Sequence, residues 1–246
     1  VPGPLVEHVA VAAPALTVAG VPEARQVVDG DRIATAAEQL APAVRWAAES
    51  DLFVYVGDDG LSLTRSADLL VGEPRSSVDR SVTAAAVELR RSEALPGCLP
   101  ELARRRASLA VSGQLLGLAD RMIALTAEHV RARKQFGAPI GSQQSVKHLL
   151  ASALVALEHA RPVVYRAGWV VAADAPAPDL AVSFAKVYAT RAADTAARAA
   201  LQCHGAIGYS WEHDLHLWMK RVWALSTAWG TVAEHEERVA REVVDA

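Results

Sequence analysis

The sequence predicts a mainly α protein, a C-terminal antiparallel four-helix bundle preceded by a small, reduced β domain. Two observations carry this. Prolines and glycines are scattered from Pro2 to Pro100 and become sparse after Glu101. Beyond that point apolar residues recur at three, four or seven positions, the spacing of helices buried along one face. The 246 residues amount to roughly one and a half domains. Such a chain hides about three quarters of its unfolded surface, so its core needs neither disulfides nor a structural metal.

Taken in order, residues 5–18 and 22–29 predict short helical or irregular cover. Residues 33–37 predict a strand. Leu52 to Val56, a GDDG turn at 57–60 and Leu61 to Thr64 predict a hairpin, because β-rich runs flank a turn that tolerates positive φ. Residues 82–89 predict one more strand. This sheet is too small to close as a barrel. In the second part, Leu109, Leu116, Ala119, Ile123 and Val130 place a helix of some thirty residues over 102–133, ended by the glycine-rich turn Gly137 to Gly141. Ser142 is expected to cap the next helix, which runs through Val146, Leu149, Ala153, Leu157 and Ala160 to Ala173 with Pro162 as a possible kink. A third helix runs from Asp179 to about Cys203, rich in alanine and so able to approach its neighbours closely. Residues 215–225 and 232–244 complete four or five antiparallel helices with short connections.

Composition excludes several classes. A net charge of -3 with 52% hydrophobic and 22% charged residues suits a folded soluble protein and not a basic nucleic-acid binder. Two cysteines, Cys98 and Cys203, allow no disulfide framework and no cysteine zinc site, and fit a reducing cytoplasm. No apolar run approaches the ~18 residues of a membrane span. Residues 9–20 are apolar, but Glu7 precedes them and Pro14 interrupts them, so no signal peptide is expected. An opening at Val1 instead of Met is read as a sign that something upstream is missing. The motifs G-x-S-x-G, P-loop and G-x-G-x-x-G are absent. His213 and His216 lie three apart beside Glu212 and Asp214, yet spacing fixes no third ligand, so no metal centre is expected and a solvated helix face is the reading. Glu234, Glu236 and Glu237 are expected to be solvated as well.

Two segments carry chemistry. The stretch RARKQFGAPIGSQQ at 131–144 joins fixed cations at one helix end to a glycine turn and the start of the next helix, where free N–H groups favour an anion such as a phosphate. Phe136 is placed to stack an aromatic ring, and Gln135 and Gln144 to exchange hydrogen bonds. The same cations also suit a bare helix C-terminus. At 202–209 the stretch QCHGAIGY offers glycines that let backbone approach a ligand beside Gln202, and serves equally as a helix stop.

These residues match a family. RKQFGAPIGSQQ at 133–144 resembles the R-x-x-F-G-x-x-I-G-x-x-Q signature of acyl-CoA dehydrogenases, and QCHGAIG at 202–208 resembles their Q-x-x-G-x-x-G. WEHDLHLWMKR at 211–221 resembles the helix that follows. The resemblance covers residues 100 to 246 and implies a bundle of acyl-CoA dehydrogenase type over 101–246, a reduced middle β domain at 31–100, and the end of an N-terminal helical domain at 1–30, which its first residues, 1–7, resemble. It implies FAD, with Arg133, Phe136, Gln144, Gln202 and Gly205 on the ADP half of a cofactor whose flavin ring lies in the neighbouring subunit.

Two departures from the pattern shape the expected function. The family's base is a Glu in Y-E-G-T-x-Q near the C-terminus; here AWGTVA at 228–233 puts Trp229 in place of the Glu and Ala233 in place of the Gln. The alternative position for the base, near the start of the first bundle helix, holds Ala107. Trp accepts no proton from carbon, and losing a positioned base costs ~100- to 10,000-fold in rate. The strands that cradle the flavin ring in the family also have no clear counterpart. Some actinobacterial relatives that act on steroid-derived side chains are heterotetramers of a catalytic and a degenerate subunit. The resemblance therefore implies the degenerate subunit of a cytoplasmic α2β2 acyl-CoA dehydrogenase, with no catalytic residue of its own. A partner would hold the base and most of the acyl-CoA, and would share the FAD. Two alternatives stand beside it: a homo-oligomer using an acid such as Glu212 or Glu234, and a helical scaffold without flavin.

Overall fold

The computed structural model describes residues 3–40 and 42–244, so the first two residues of the 1–7 segment lie outside the described residues. The chain groups into two compact units, Val1–Ala110 and Val111–Ala246.

In the first unit a helical stretch, Glu7–Ala12, continues directly into α1 (Ala13–Val18), and α2 (Ala24–Asp29) follows. A four-stranded sheet has the order β1 (Ala34–Ala37), β3 (Leu52–Val56), β4 (Leu61–Arg65), β8 (Glu93–Leu95). β1 runs parallel to β3, and the other pairs are antiparallel. The predicted hairpin is β3–β4, closed where Gly57 N–H donates to Gly60 C=O at 3.0 Å. Two further ladders pair β2 (Val44–Arg45) with β6 (Ala84–Ala85), and β5 (Leu69–Val71) with β7 (Val87–Leu89). The single strand predicted over 82–89 is therefore two pieces serving two ladders. Val82 and Val87 are both buried, and five positions apart on one straight strand they would face opposite sides. Phe53, fully buried, centres a core with Val44, Ala47, Leu69 and Val87.

Polar clamps hold the helical cover to the sheet. His8 Nε2–H donates to Val27 C=O at 2.9 Å while its Nδ1 accepts Ala34 N–H at 3.1 Å. Arg65 bridges Glu23 at 2.7 Å and Glu93 at 3.1 Å, and holds the Glu23 carboxyl below its usual range.

The second unit is built on long helices. α3 (Pro100–Ala132) spans 33 residues, and within this unit Val111, Leu115, Ala119, Met122 and Val130 form its buried stripe. A short hairpin, β9 (Lys134–Gln135) and β10 (Ala138–Pro139), leads into α4 (Gln144–Ala172). Gly141 is required there, since a Cβ would lie 3.0 Å from Val130 C=O. Ser142 does not cap α4. Its hydroxyl donates to Pro139 C=O at 2.7 Å, and Gln143 takes the cap position without a side-chain bond. The hairpin turns the hydroxyl back on its own loop before the helix begins.

α5 (Pro178–His204) packs against α4, α6 (Leu215–Ser226) and α7 (Val232–Val244). Its buried face includes Ala185, Ala189, Ala192, Ala193, Ala196, Ala197 and Ala200, side chains short enough to let neighbouring helices come close. α4 buries Ala153, Leu157, Ala160, Val164 and Ala167. On its opposite side Leu154, Val155, Tyr165 and Trp169 are exposed. No helix among the described residues is long and apolar enough to cross a membrane.

Candidate functional site

The signature turn lies at one end of the second unit. Arg133, Phe136 and Gln144 are all exposed. Phe136 is 97% exposed at φ 53°, a conformation few side chains adopt. Gly137, at φ 81°, has open space where a Cβ would stand. Ile140 N–H donates to Arg133 C=O at 2.8 Å, tying the far side of the hairpin to the end of α3. A groove beside it is lined by Val130, Arg131, Pro139, Gly141, Ser142 and Lys147. Gln144 opens α4.

The second motif closes α5. Gln202 is exposed, and Gly205 caps the helix at φ 63° with open space at its Cβ position. Histidines that join no single motif bring the two segments together. His129, in the last turn of α3, stacks on His204 with centroids 4.2 Å apart, and His213 meets His204 edge-on at 4.6 Å. Arg133 lies one turn beyond His129, while Gln202 and Gly205 flank His204. Burial holds the His204 and His129 imidazoles below the ordinary histidine range, and neighbouring His213 adds to it for both; for His129, Arg133 does as well. His216 is not on a solvated face. It is buried, with the Trp211 ring 4.6 Å away and Lys220 3.9 Å above that ring.

The third feature is the loop between α6 and α7. Trp229 is buried at φ 54°, and Gly230 follows at φ 97°. Lys186, fully buried on α5, donates to Ser226 C=O at 3.1 Å and to Gly230 C=O at 2.7 Å. His235 Nε2–H donates to Trp229 C=O at 3.0 Å, so its Nδ1 accepts the Ser183 hydroxyl at 3.1 Å. Glu234 is not merely solvated: its carboxylate accepts Thr231 N–H at 2.7 Å and the Thr231 hydroxyl at 3.0 Å, closing a capping box on α7. Those bonds hold it below the usual carboxylate range, which makes it a weaker base. Ala107, at the alternative position, is wholly buried in α3.

Residues 100–244, more than half of the chain, match the family described as acyl-CoA dehydrogenase, C-terminal domain. The chain belongs to the acyl-CoA dehydrogenase family. Among curated acyl-CoA dehydrogenases, it is 38% identical over 133 residues to acyl-CoA dehydrogenase IpdE2 of Mycobacterium tuberculosis, an alignment covering 54% of this chain and 40% of that protein. With acyl-CoA dehydrogenase IpdE2 of Mycolicibacterium smegmatis the identity is 29% over 195 residues, 77% of this chain and 58% of the relative. This chain thus spans about half the length of these relatives. Among solved structures, the ChsE4-ChsE5 complex from Mycobacterium tuberculosis has a chain that superposes with a TM-score of 0.87 at 24% identity, covering 99% of this chain and 76% of that one. The acyl-CoA dehydrogenase fold thus extends over the first unit as well.

Proposed function

We propose that this chain is the non-catalytic subunit of a hetero-oligomeric acyl-CoA dehydrogenase, and that it completes the ADP half of an FAD site shared with a catalytic partner. One observation carries the reading. At the position of the family's Glu stands a buried Trp229, in a loop that Lys186 and His235 fix in place. Glu234, the nearest acid in sequence, is already committed to Thr231.

The signature residues suit a dinucleotide. Arg133 supplies a fixed cation for a pyrophosphate, exposed Phe136 an aromatic face, Gln144 and Gln202 paired donors and acceptors, and the open space at Gly137 and Gly205 close backbone approach. When bound, FAD supplies a two-electron acceptor for α,β-dehydrogenation of an acyl-CoA. The partner's base removes the α-proton, and the partner binds most of the acyl-CoA. This chain's residues bind and orient the ADP end and contribute the interface. The exposed apolar stripe of α4, Leu154, Val155, Tyr165 and Trp169, supports association with another subunit. The superposed structure is a complex of ChsE4 and ChsE5, which supports a heteromeric assembly, here of α2β2 form. The alanine-, valine- and arginine-rich composition is compatible with the actinobacterial relatives that act on steroid-derived side chains, and the division into 1–30, 31–100 and 101–246 is the domain plan of that reading.

The test is Arg133→Ala in the assembled complex. A charge-assisted contact to a phosphate is worth roughly 10- to 150-fold in affinity, so FAD retention falls by that factor while the melting temperature of this chain hardly moves. A lower melting temperature with unchanged FAD content would reduce Arg133 to a helix-end cation and overturn the half-site.

A further inference from the structure

We propose that His129, His204 and His213 form a three-imidazole site for a divalent transition-metal ion of the zinc class. The three ligand nitrogens lie within 4.8 Å of one another, although the residues come from α3, α5 and the turn before α6. His204 carries the strongest evidence. Its Nδ1–H donates to Ala200 C=O at 2.8 Å, and since a carbonyl only accepts, the lone pair must be on Nε2. That Nε2 is buried with no hydrogen-bond partner, in a residue 7% exposed. An oriented imidazole whose far nitrogen is bound to a backbone carbonyl, with the near one unsatisfied, is how metal-ligating histidines are held. A buried acceptor left unmet is otherwise costly.

The other two rings complete the set. His129 stacks on His204, and His213 meets both rings edge-on. A tetrahedral ion with bonds of about 2.0–2.1 Å needs nitrogens ~3.3 Å apart, so the half-buried His129 and His213 must close on His204. For His213 this means giving up the Leu215 N–H that its Nδ1 accepts at 3.1 Å, one neutral hydrogen bond against a metal bond. Imidazole donors select zinc, cobalt, nickel or copper over magnesium or calcium, and three protein ligands leave a fourth position open. The Arg133 charge, which acts on His129, opposes a dication and so weakens the site.

The site is independent of the FAD reading, and its test needs no activity. Untagged chain stripped with chelator is titrated with Co2+ and followed by its visible d–d absorption, and Zn2+ then displaces the signal. One saturable equivalent is expected. His213→Asn and His129→Asn, both at half-buried positions, should each weaken binding by roughly 100-fold or more with an unchanged circular dichroism spectrum. His148→Asn and His159→Asn, exposed on α4, should leave it unaltered. Absence of a saturable Co2+ signal, a Co2+ signal that Zn2+ does not displace, or equal binding in all four variants overturns the proposal. If His204→Gln fails to fold, the His213 and His129 variants still decide it.

Discussion

Trp229 and His235 share one loop and make separable predictions. On the proposed reading the indole stands where the base would be and moves no proton, so Trp229→Ala should leave turnover of the assembled complex within about tenfold. A loss of several thousandfold at intact assembly and FAD content would place the chemistry in this chain. His235 is fully buried and its pKa is pushed down to about 4, chiefly by desolvation. The unfolded chain binds its proton near 6.5, so between those values the unfolded state carries more protons and stability falls as pH falls. The full effect is roughly 3 kcal/mol, present above pH 6.5 and lost toward pH 4. Urea midpoints at pH 7 and pH 5 should differ clearly in the wild-type chain and much less in His235→Asn. An equal difference in both would assign the acid sensitivity elsewhere.

Among the elements, long helices were legible because their period repeats many times. The stripe of α3 and the alanine face of α5 lie within one or two residues of their predicted bounds. The short strands were not. β2 and β6 have two residues each, too few to show alternation, and the split of 82–89 depends on long-range pairing with residues 44–45 and 69–71. The error at Ser142 has a local cause: a serine before a helix has two carbonyl and amide partners within reach, and the hairpin decided between them. α4 carries a prediction at this scale. Its buried residues satisfy its own unit, so the exposed stripe is free to vary without unfolding the helix. Trp169→Glu should keep the melting temperature within a few degrees and abolish co-purification with the partner subunit. Retained co-purification would move the interface to another surface.

For the whole molecule, the candidate site was legible where it is written in one segment and invisible where it is assembled from several. Arg133, Phe136 and Gln144 lie in one motif of the sequence, and Gln202 and Gly205 in another. His129, His204 and His213 span 85 positions of chain and share no spacing, so only the meeting of their rings in the fold reveals them. The assembled protein carries the remaining prediction: isolated chain is colourless, and co-expression with the catalytic partner yields a yellow complex with a flavin absorbance spectrum. A yellow, active homo-oligomer would favour a base within this chain, and a colourless but intact complex would favour a scaffold.

The alanine face of α5 also governs how this protein can tolerate change. Most cores fail when a large side chain is trimmed and a void opens, but a methyl group leaves almost nothing to trim. Substitution along this helix is harmful in one direction. Enlarging Ala193 or Ala196, each almost wholly buried, drives helices apart at about 1–3 kcal/mol. A change to glycine costs only the helix propensity, about 1 kcal/mol. Sequence drift on the alanine face of α5 is thus confined to the smallest residues.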